Sequence, residues 1–251
     1  MRTLALVTGA SRGLGRNTAL AIARGGGDVV VTYRGSADEA TAVVADIEAL
    51  GRRAVALQLD TGEVDAFPVF VTRLRTALRD TWQRETFDHL VNNAGHGDTA
   101  PIADTTVAQF DRLVDVHFKG VFFLTQALLP LIADGGRIVN ISTGLTRFAY
   151  PGYAAYAAAK AAVETLSVYM AKEFGARGIA VNTVAPGAIE TDFGGGVVRD
   201  NADVNAQLAG ITALGRVGVA DDIGPMIAAL LGEANRWVNA QRIEVSGGQA
   251  I

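Results

Sequence analysis

The segment Thr3-Leu4-Ala5-Leu6-Val7-Thr8-Gly9-Ala10-Ser11-Arg12-Gly13-Leu14-Gly15 decides how the chain is read. An apolar run the length of a buried strand breaks at Gly9, and after the glycines an apolar pattern with helical spacing follows over 14–24. Glycines in a strand-to-helix turn let backbone approach a ligand closely, and the N–H groups that open the helix favour a pyrophosphate. The spacing is Gly-x-x-x-Gly-x-Gly, neither Gly-x-Gly-x-x-Gly nor the Walker pattern, which needs a Lys followed by Ser or Thr. ATP and GTP therefore recede.

Outward from this turn the chain alternates short Val/Ile/Leu runs with Ala-rich helical stretches. Strands are predicted over 3–8, 28–33, 53–59, 88–92, 136–142, 178–184 and 241–245, each apolar nearly throughout, as strands covered on both faces should be. Helices are predicted near 14–24, 37–50, 64–80, 106–130, 153–174 and 221–231. Repeated βα units make a parallel sheet, so the reading is one doubly wound α/β domain over 1–251. No linker, repeat or low-complexity block divides it. The stretch 186–218, rich in Gly and Asn, reads as a long mobile loop suited to cover a site, with a substrate loop near 188–218.

Composition narrows the class. Nearly half of the 251 residues are apolar (49%), enough for a packed core, and there is no Cys, which removes disulfides, thiolate nucleophiles and zinc-thiolate sites. The longest stretch without charge, Gly120 to Ala133, contains Gln126 and Pro130 and is too short for a membrane span. The N-terminus is too brief an apolar run for a signal peptide, so a cytoplasmic location is expected, with no membrane partner. A net charge of −4 without basic runs argues against nucleic acid. The three histidines, His89, His96 and His117, lack metal-ligand spacing, so no metal is expected.

Nucleotide choice should be readable where the second strand ends, at Thr32-Tyr33-Arg34. An acidic residue there would accept from a ribose 2′-OH and repel a 2′-phosphate, whereas Arg34, together with Arg12, offers guanidinium groups to pair with that phosphate. NADPH/NADP is favoured over NADH. Asp60, beside Thr61 after the third strand, is placed to accept from the adenine amino group.

In Tyr153-Ala-Ala-Tyr156-Ala-Ala-Ala-Lys160, Tyr156 and Lys160 lie four apart on one helical face. A cation beside a phenol favours the phenolate and is expected to lower its pKa, making Tyr156 a general acid for a carbonyl oxygen. The blander reading is a packed ring beside a snorkelling amine.

Taken together, Thr8-Gly9-x-x-x-Gly13-x-Gly15, Asn92-Asn93-Ala94-Gly95, Tyr156-x-x-x-Lys160, Pro186-Gly187 and Ser246-Gly247-Gly248, in this order, resemble the short-chain dehydrogenase/reductase family, and within it the 3-oxoacyl-acyl-carrier-protein reductases. The resemblance implies a Rossmann-type three-layer sandwich around a seven-stranded parallel sheet, a nicotinamide cofactor and a homotetramer built through 106–130, 153–174 and the C-terminal segment. It implies Tyr156 as proton donor and Lys160 as holder of the nicotinamide ribose. Gly9, Ser11, Arg12, Gly13, Leu14 and Gly15 would cradle the phosphates. Asn93, Ala94 and Gly95 would face the cofactor, and Pro186, Gly187, Ile189 and Thr191 would flank the nicotinamide.

Two positions depart from the family pattern. Thr143 stands where the family has its catalytic Ser, keeping a hydroxyl but adding a methyl, while Ser142 should point to the other face of the strand. His117 stands where the family has an Asn that helps hold a relay water near the Lys; its imidazole could continue the relay and titrate near neutral pH, the reading favoured here, or could equally be a ring packed and hydrogen-bonded in the helix. His96 and Asp98 are expected to line the substrate cleft, and His89 to be structural.

The function expected is an NADPH-dependent carbonyl reductase, or in reverse an alcohol dehydrogenase. Its substrate would be a small ketone, a polyketide ketone or a 3-oxoacyl thioester, with Arg147, Arg199 and Arg216 as candidates for a carrier-protein patch. The alternative, motivated by positions 117 and 143, is a cofactor-binding sensor or assembly subunit with weak or no catalysis.

Overall fold

The computed structural model describes residues 3–251; Met1 and Arg2, at the start of the sequence reading, lie outside the described residues. The chain runs β1 (Leu4–Val7), α1 (Gly13–Arg24), β2 (Asp28–Tyr33), α2 (Ala37–Ala49), β3 (Ala54–Gln58), α3 (Phe67–Ala77) and β4 (Phe87–Asn92). It continues through α4 (Val107–Val114), α5 (Gly120–Leu128), β5 (Ile132–Ile141), α6 (Ala154–Phe174) and β6 (Ala180–Pro186). It closes with α7 (Val197–Asp200), α8 (Ala202–Gly210), α9 (Ala220–Leu230) and β7 (Arg242–Val245). Among the described residues, no helix is long and apolar enough to cross a membrane.

The strands form one seven-stranded sheet in the order β3-β2-β1-β4-β5-β6-β7, and every pairing is parallel. This is the Rossmann-type doubly wound arrangement, with helices on both faces. The two-residue period of the strands explains the layering: Ala5 and Val7 of β1 face one core with α1, α2 and α9, while Leu4 and Leu6 face the other with α3, α5 and α6. The strand order reverses between β1 and β4, which opens a crevice at their C-terminal ends.

Four stretches differ from the sequence reading. The segment 186–218 is not one irregular loop, because α7 and α8 form inside it; Asn201 caps α8, its side chain accepting from Asp203 N and Val204 N at 3.1 Å each. The helix expected over 106–130 breaks into α4 and α5 around a wider π-type turn at Asp115–Lys119. The strand expected over 136–142 begins earlier, at Ile132, which pairs with Phe87 ahead of a bulge. The helix expected over 64–80 starts with a 3-10 turn and finishes in a second π-type turn at Leu78–Trp82. The two helix differences have the same origin: tertiary contacts decide the pitch of a helix end that local propensity leaves open.

At the far end of the sheet, the buried Asp28 carboxylate ties three pieces of chain together. It accepts from Arg53 N (2.9 Å), Arg53 Nε (3.3 Å) and the indole N–H of Trp82 (2.9 Å). We predict that Asp28→Ala, which strands the Trp82 and Arg53 donors, lowers stability by about 3 kcal/mol, and that Trp82→Phe lowers it less. Urea unfolding of both variants checks the order.

Candidate active site

The crevice at the C-terminal sheet edge deepens into a cavity of about 570 Å³. One end is the glycine turn. Gly13 has a left-handed backbone (φ +56), and a Cβ there would project into open space with Thr191 Cβ 3.9 Å away. Gly15 is different in kind: a Cβ would collide with the Gly9 carbonyl oxygen and the Asn93 amide, so this glycine serves the packing of the turn. No side chain caps the first turn of α1 and no acidic residue lies in it, so its opening N–H groups remain available at the cavity. This cradle fits an anionic pyrophosphate.

Gly9, Ser11, Arg12, Leu14, Arg34, Asp60, Thr61, Asn93, Ala94 and Gly95 line the same cavity, as do Pro186, Gly187, Ile189 and Thr191. Tyr33 is the exception. Its side chain packs against the core between the sheet and α1, α2 and α9, since alternation along β2 sends it to the sheet face. Arg12 and Arg34 are both exposed at the turn, and neither has a carboxylate within ion-pair distance among the described residues.

At the other end of the cavity, helical spacing puts Tyr156 and Lys160 of α6 on one face, where both are buried. The Lys160 ammonium donates to the Ile141 carbonyl at 2.7 Å and lies 5.9 Å from the Tyr156 ring centroid. Thr143 lines the cavity beside Tyr156, its hydroxyl accepting from Leu145 N at 3.3 Å. Burial pushes the Tyr156 pKa well above the usual phenol range, and the nearby Thr143 hydroxyl only partly opposes it. The sequence expectation of a lowered phenol pKa is thereby corrected: the ammonium is directed at a backbone carbonyl, and desolvation of the phenolate dominates. Burial pushes the Lys160 pKa down to about 8.

Ser142 faces away, as alternation demands, donating to Glu164 at 2.6 Å. Glu164 and Arg242 were not singled out from the sequence, yet they brace this strand end. Arg242 bonds Glu164 (2.8 Å), the Thr143 carbonyl (3.1 Å) and the Thr146 hydroxyl (3.0 Å). A buried polar chain locates α6 itself: Asn92 donates to Asn140 (2.8 Å), Asn140 to Ser167 (2.8 Å) and Ser167 to the Val163 carbonyl (2.7 Å). Isolated Asn and Ser residues carry no spacing signal by which these roles could be found.

His117 sits in the π-type turn between α4 and α5, fully buried, with its ring 5.0 Å from that of Tyr156. Its Nε2 lies 2.8 Å from the His96 carbonyl oxygen and carries the proton there, which leaves Nδ1 an acceptor with no partner among the described residues. Burial, reinforced by the Lys160 charge, holds its pKa well below the usual imidazole range. The expected titration near neutrality is therefore overturned, and the ring is neutral at pH 7.

His96 lines the cavity, but Asp98 does not, being held by Arg112 (3.1 Å) and Gln109 (3.4 Å). His89 is buried in β4, its pKa pushed down to about 4 by desolvation. The arginines considered for a carrier-protein patch are each already paired: Arg147 with Glu244 (2.8 Å), Arg199 with Asp192 (2.5 Å) and Asp200 (2.7 Å), and Arg216 with Asp222 (2.7 Å). Residues not anticipated from the sequence, Phe148, Tyr150 and Phe193, complete the lining with Tyr153.

Comparison with known proteins agrees with this geometry. A family model described as enoyl-(acyl carrier protein) reductase matches residues 9–250. The chain is 36% identical to the 3-oxoacyl-[acyl-carrier-protein] reductase FabG of Staphylococcus epidermidis, over 99% of both chains. It belongs to the short-chain dehydrogenase/reductase family. Among solved members of this family, the promiscuous reductase LugOII, which catalyses keto-reduction at C1 during lugdunomycin biosynthesis, shares 39% identity and a TM-score of 0.93, covering 98% of this chain and 96% of that one. The angucycline C-6 ketoreductase LanV with bound NADP shares 35% identity and a TM-score of 0.94, covering 99% and 95%. A short-chain dehydrogenase/reductase is an oxidoreductase, and the cradle at Gly13 suits the nicotinamide dinucleotide that such neighbours carry.

Lys160 gives this site a measurable signature. The lysine titrates near 10.5 in the unfolded chain and near 8 in the folded one, so between these values the unfolded state holds more protons and stability rises with pH. Below pH 8 the buried ammonium opposes folding in full, by on the order of 3 kcal/mol. Lys160→Met is therefore expected to melt above wild type at pH 7, with the gap closing as pH climbs from 8 to 10.5. Thermal melts across that range check it.

Proposed function

We propose that this protein is an NADP(H)-dependent carbonyl reductase acting on a small-molecule ketone not tethered to a carrier protein. The observation that carries the reading is the meeting of the Thr143 and Tyr156 hydroxyls in the cavity with the Lys160 ammonium behind them. Bound NADPH would supply the hydride. Gly9 to Gly15 would hold its pyrophosphate, Arg12 and Arg34 the 2′-phosphate, and Asp60 and Thr61 the adenine. Asn93, Ala94, Gly95, Pro186, Gly187, Ile189 and Thr191 would hold the nicotinamide, with Tyr156 and Lys160 on its ribose. The relatives with bound NADP support this cofactor over NADH.

Within the chain, the Thr143 hydroxyl donates to the substrate carbonyl and orients it. Tyr156, kept protonated by burial, gives its proton to the carbonyl oxygen as negative charge develops there. Lys160 places a positive charge near the phenolate so formed. Neutral His117, its ring 5.0 Å from that of Tyr156, would accept a hydrogen bond at Nδ1 and orient the donor without itself carrying the proton. Pairing of Arg147, Arg199 and Arg216 with carboxylates of this chain favours a free ketone over a thioester on an acidic carrier. A homotetramer is proposed as the assembly, supported by apolar side chains exposed on its expected interface: Phe110, Phe122 and Phe123 on α4 and α5, Val168 and Tyr169 on α6.

Parallel titration with NADPH and NADH, followed by a ketone panel, tests the reading. NADPH should bind more tightly, and Arg34→Ala should weaken NADPH about tenfold while leaving NADH unchanged. Tyr156→Phe should lower the reduction rate about a hundredfold or more while NADPH still binds. Turnover that survives Tyr156→Phe would instead support a binding or sensing role.

The pH dependence of ketone reduction should show no limb near 6.5, because His117 does not titrate there, and should fall above about 8 as Lys160 loses its proton. A rate profile with a limb near 6.5 that His117→Asn removes would overturn the neutral role given to that ring.

A further inference from the structure

We propose that the substrate half of the cavity selects a neutral, planar aromatic ketone bearing phenolic or quinone oxygens; this rests on the carbonyl-reductase reading and specifies its substrate class. Around the proton donor the cavity wall is aromatic on several sides. The Tyr156 ring is 5.7 Å from that of Phe193, tilted by 54°, and 6.5 Å from that of Tyr153, which in turn stands 6.1 Å from Tyr150. Phe148 adds a further ring to the lining.

Two of these rings are unsatisfied as apolar surface. Phe193 and Tyr150 each leave 41% of their area exposed, although both face a concave site. Phe193 is seated, not loosely hung: a Cβ on Gly97 would come within 3.0 Å of both its ring and the Gly194 backbone, so the two segments are in close contact. Rings bare toward the cavity, Phe193 held by its neighbouring backbone and Tyr150 set beside Tyr153, gain most from a flat partner offering a face or an edge, and less from a saturated chain of equal size. The far wall, contributed by Val197, Val198, Val204 and Leu208, is aliphatic and adds area without shape preference.

Charge and hydrogen bonding fix the rest of the ligand's chemistry. Near this half of the cavity both arginines are already paired, Arg199 with Asp192 (2.5 Å) and Asp200 (2.7 Å) and Arg147 with Glu244 (2.8 Å), so neither is free for an anionic group. A charged substrate would lose its hydration there without a free counter-charge to meet it. Three polar tips do remain open among the described residues. The Tyr150 and Tyr153 hydroxyls and the His96 imidazole line the cavity, and their side chains make no hydrogen bond within the protein. They suit the oxygens at the rim of a hydroxylated ring system and have no counterpart along a plain acyl chain.

The test compares matched bicyclic ketones on the full enzyme with NADPH: 2-tetralone, with one aromatic ring, and 2-decalone, its saturated analogue. The inference expects kcat/KM for 2-tetralone to exceed that for 2-decalone about tenfold, and the ratio to fall toward unity in Phe193→Leu or Tyr150→Leu, each checked for folding by thermal melt. Equal kcat/KM values in wild type, or a ratio untouched by both substitutions, overturn it. Calorimetry with saturating NADP+ supplies a readout without turnover: 2-naphthol should bind about tenfold more tightly than decahydro-2-naphthol, with the same dependence on Phe193. If no ketone is reduced, the carbonyl-reductase reading fails and the binding ratio alone decides the aromatic preference. If both ketones are reduced equally well, the reductase reading stands and the aromatic preference is lost.

Discussion

A hydroxyl at the end of the first strand holds the site together. Thr8 Oγ1 accepts from the backbone N–H groups of Asn93 and Ala94, each at 2.9 Å, and the Asn93 side chain returns a bond to the Thr8 carbonyl at 2.9 Å. The clasp spans β1 and β4, where the strand order reverses and the crevice opens. The parallel ladder ends here, with Thr8 N and Asn93 N both turned to the Val91 carbonyl, and the Thr8 hydroxyl takes up the N–H of Ala94 beyond it. Satisfying these backbone groups with one side chain from each strand holds the glycine turn against Ala94 and leaves the α1 N-terminus facing the cavity.

From that clasp a second polar line crosses the sheet, through Asn92, Asn140 and Ser167, to the helix that carries Tyr156 and Lys160. Buried polar groups that are fully bonded are rigid, because any displacement leaves a donor unsatisfied at low dielectric. The same burial sets the chemistry. It holds Tyr156 protonated, His117 neutral and Lys160 poised near 8, and each shift opposes the charged form. The buried lysine thus weakens the fold, and the proposed reductase role would be what retains it there, a common relation between stability and function.

Much of the fold was legible because parallel strands covered on both faces are apolar runs, and all seven were read within a few residues. The pair Tyr156 and Lys160 was legible because a spacing of four is one helical turn. The glycine turn was legible because its glycines interrupt a strand. What was misread depended on direction. Tyr33 belonged to the right segment but pointed into the core, and Asp98 was near the cleft but was claimed by Arg112. The arginines at 147, 199 and 216 looked available until their carboxylate partners, up to 97 residues away in the chain, came into view.

The sequence by itself determined the layer order, the glycine cradle and the placing of Tyr156 and Lys160 on one helical face, since these follow from periods of two and three to four residues and from glycines that interrupt a strand. Only the tertiary structure decided which charges were already spent, that burial outweighs the lysine in setting the Tyr156 pKa, that His117 keeps a bare Nδ1, and that Phe148, Tyr150, Tyr153 and Phe193 surround one cavity. Desolvation and pairing are properties of distances between segments remote in the chain, and no local pattern encodes them.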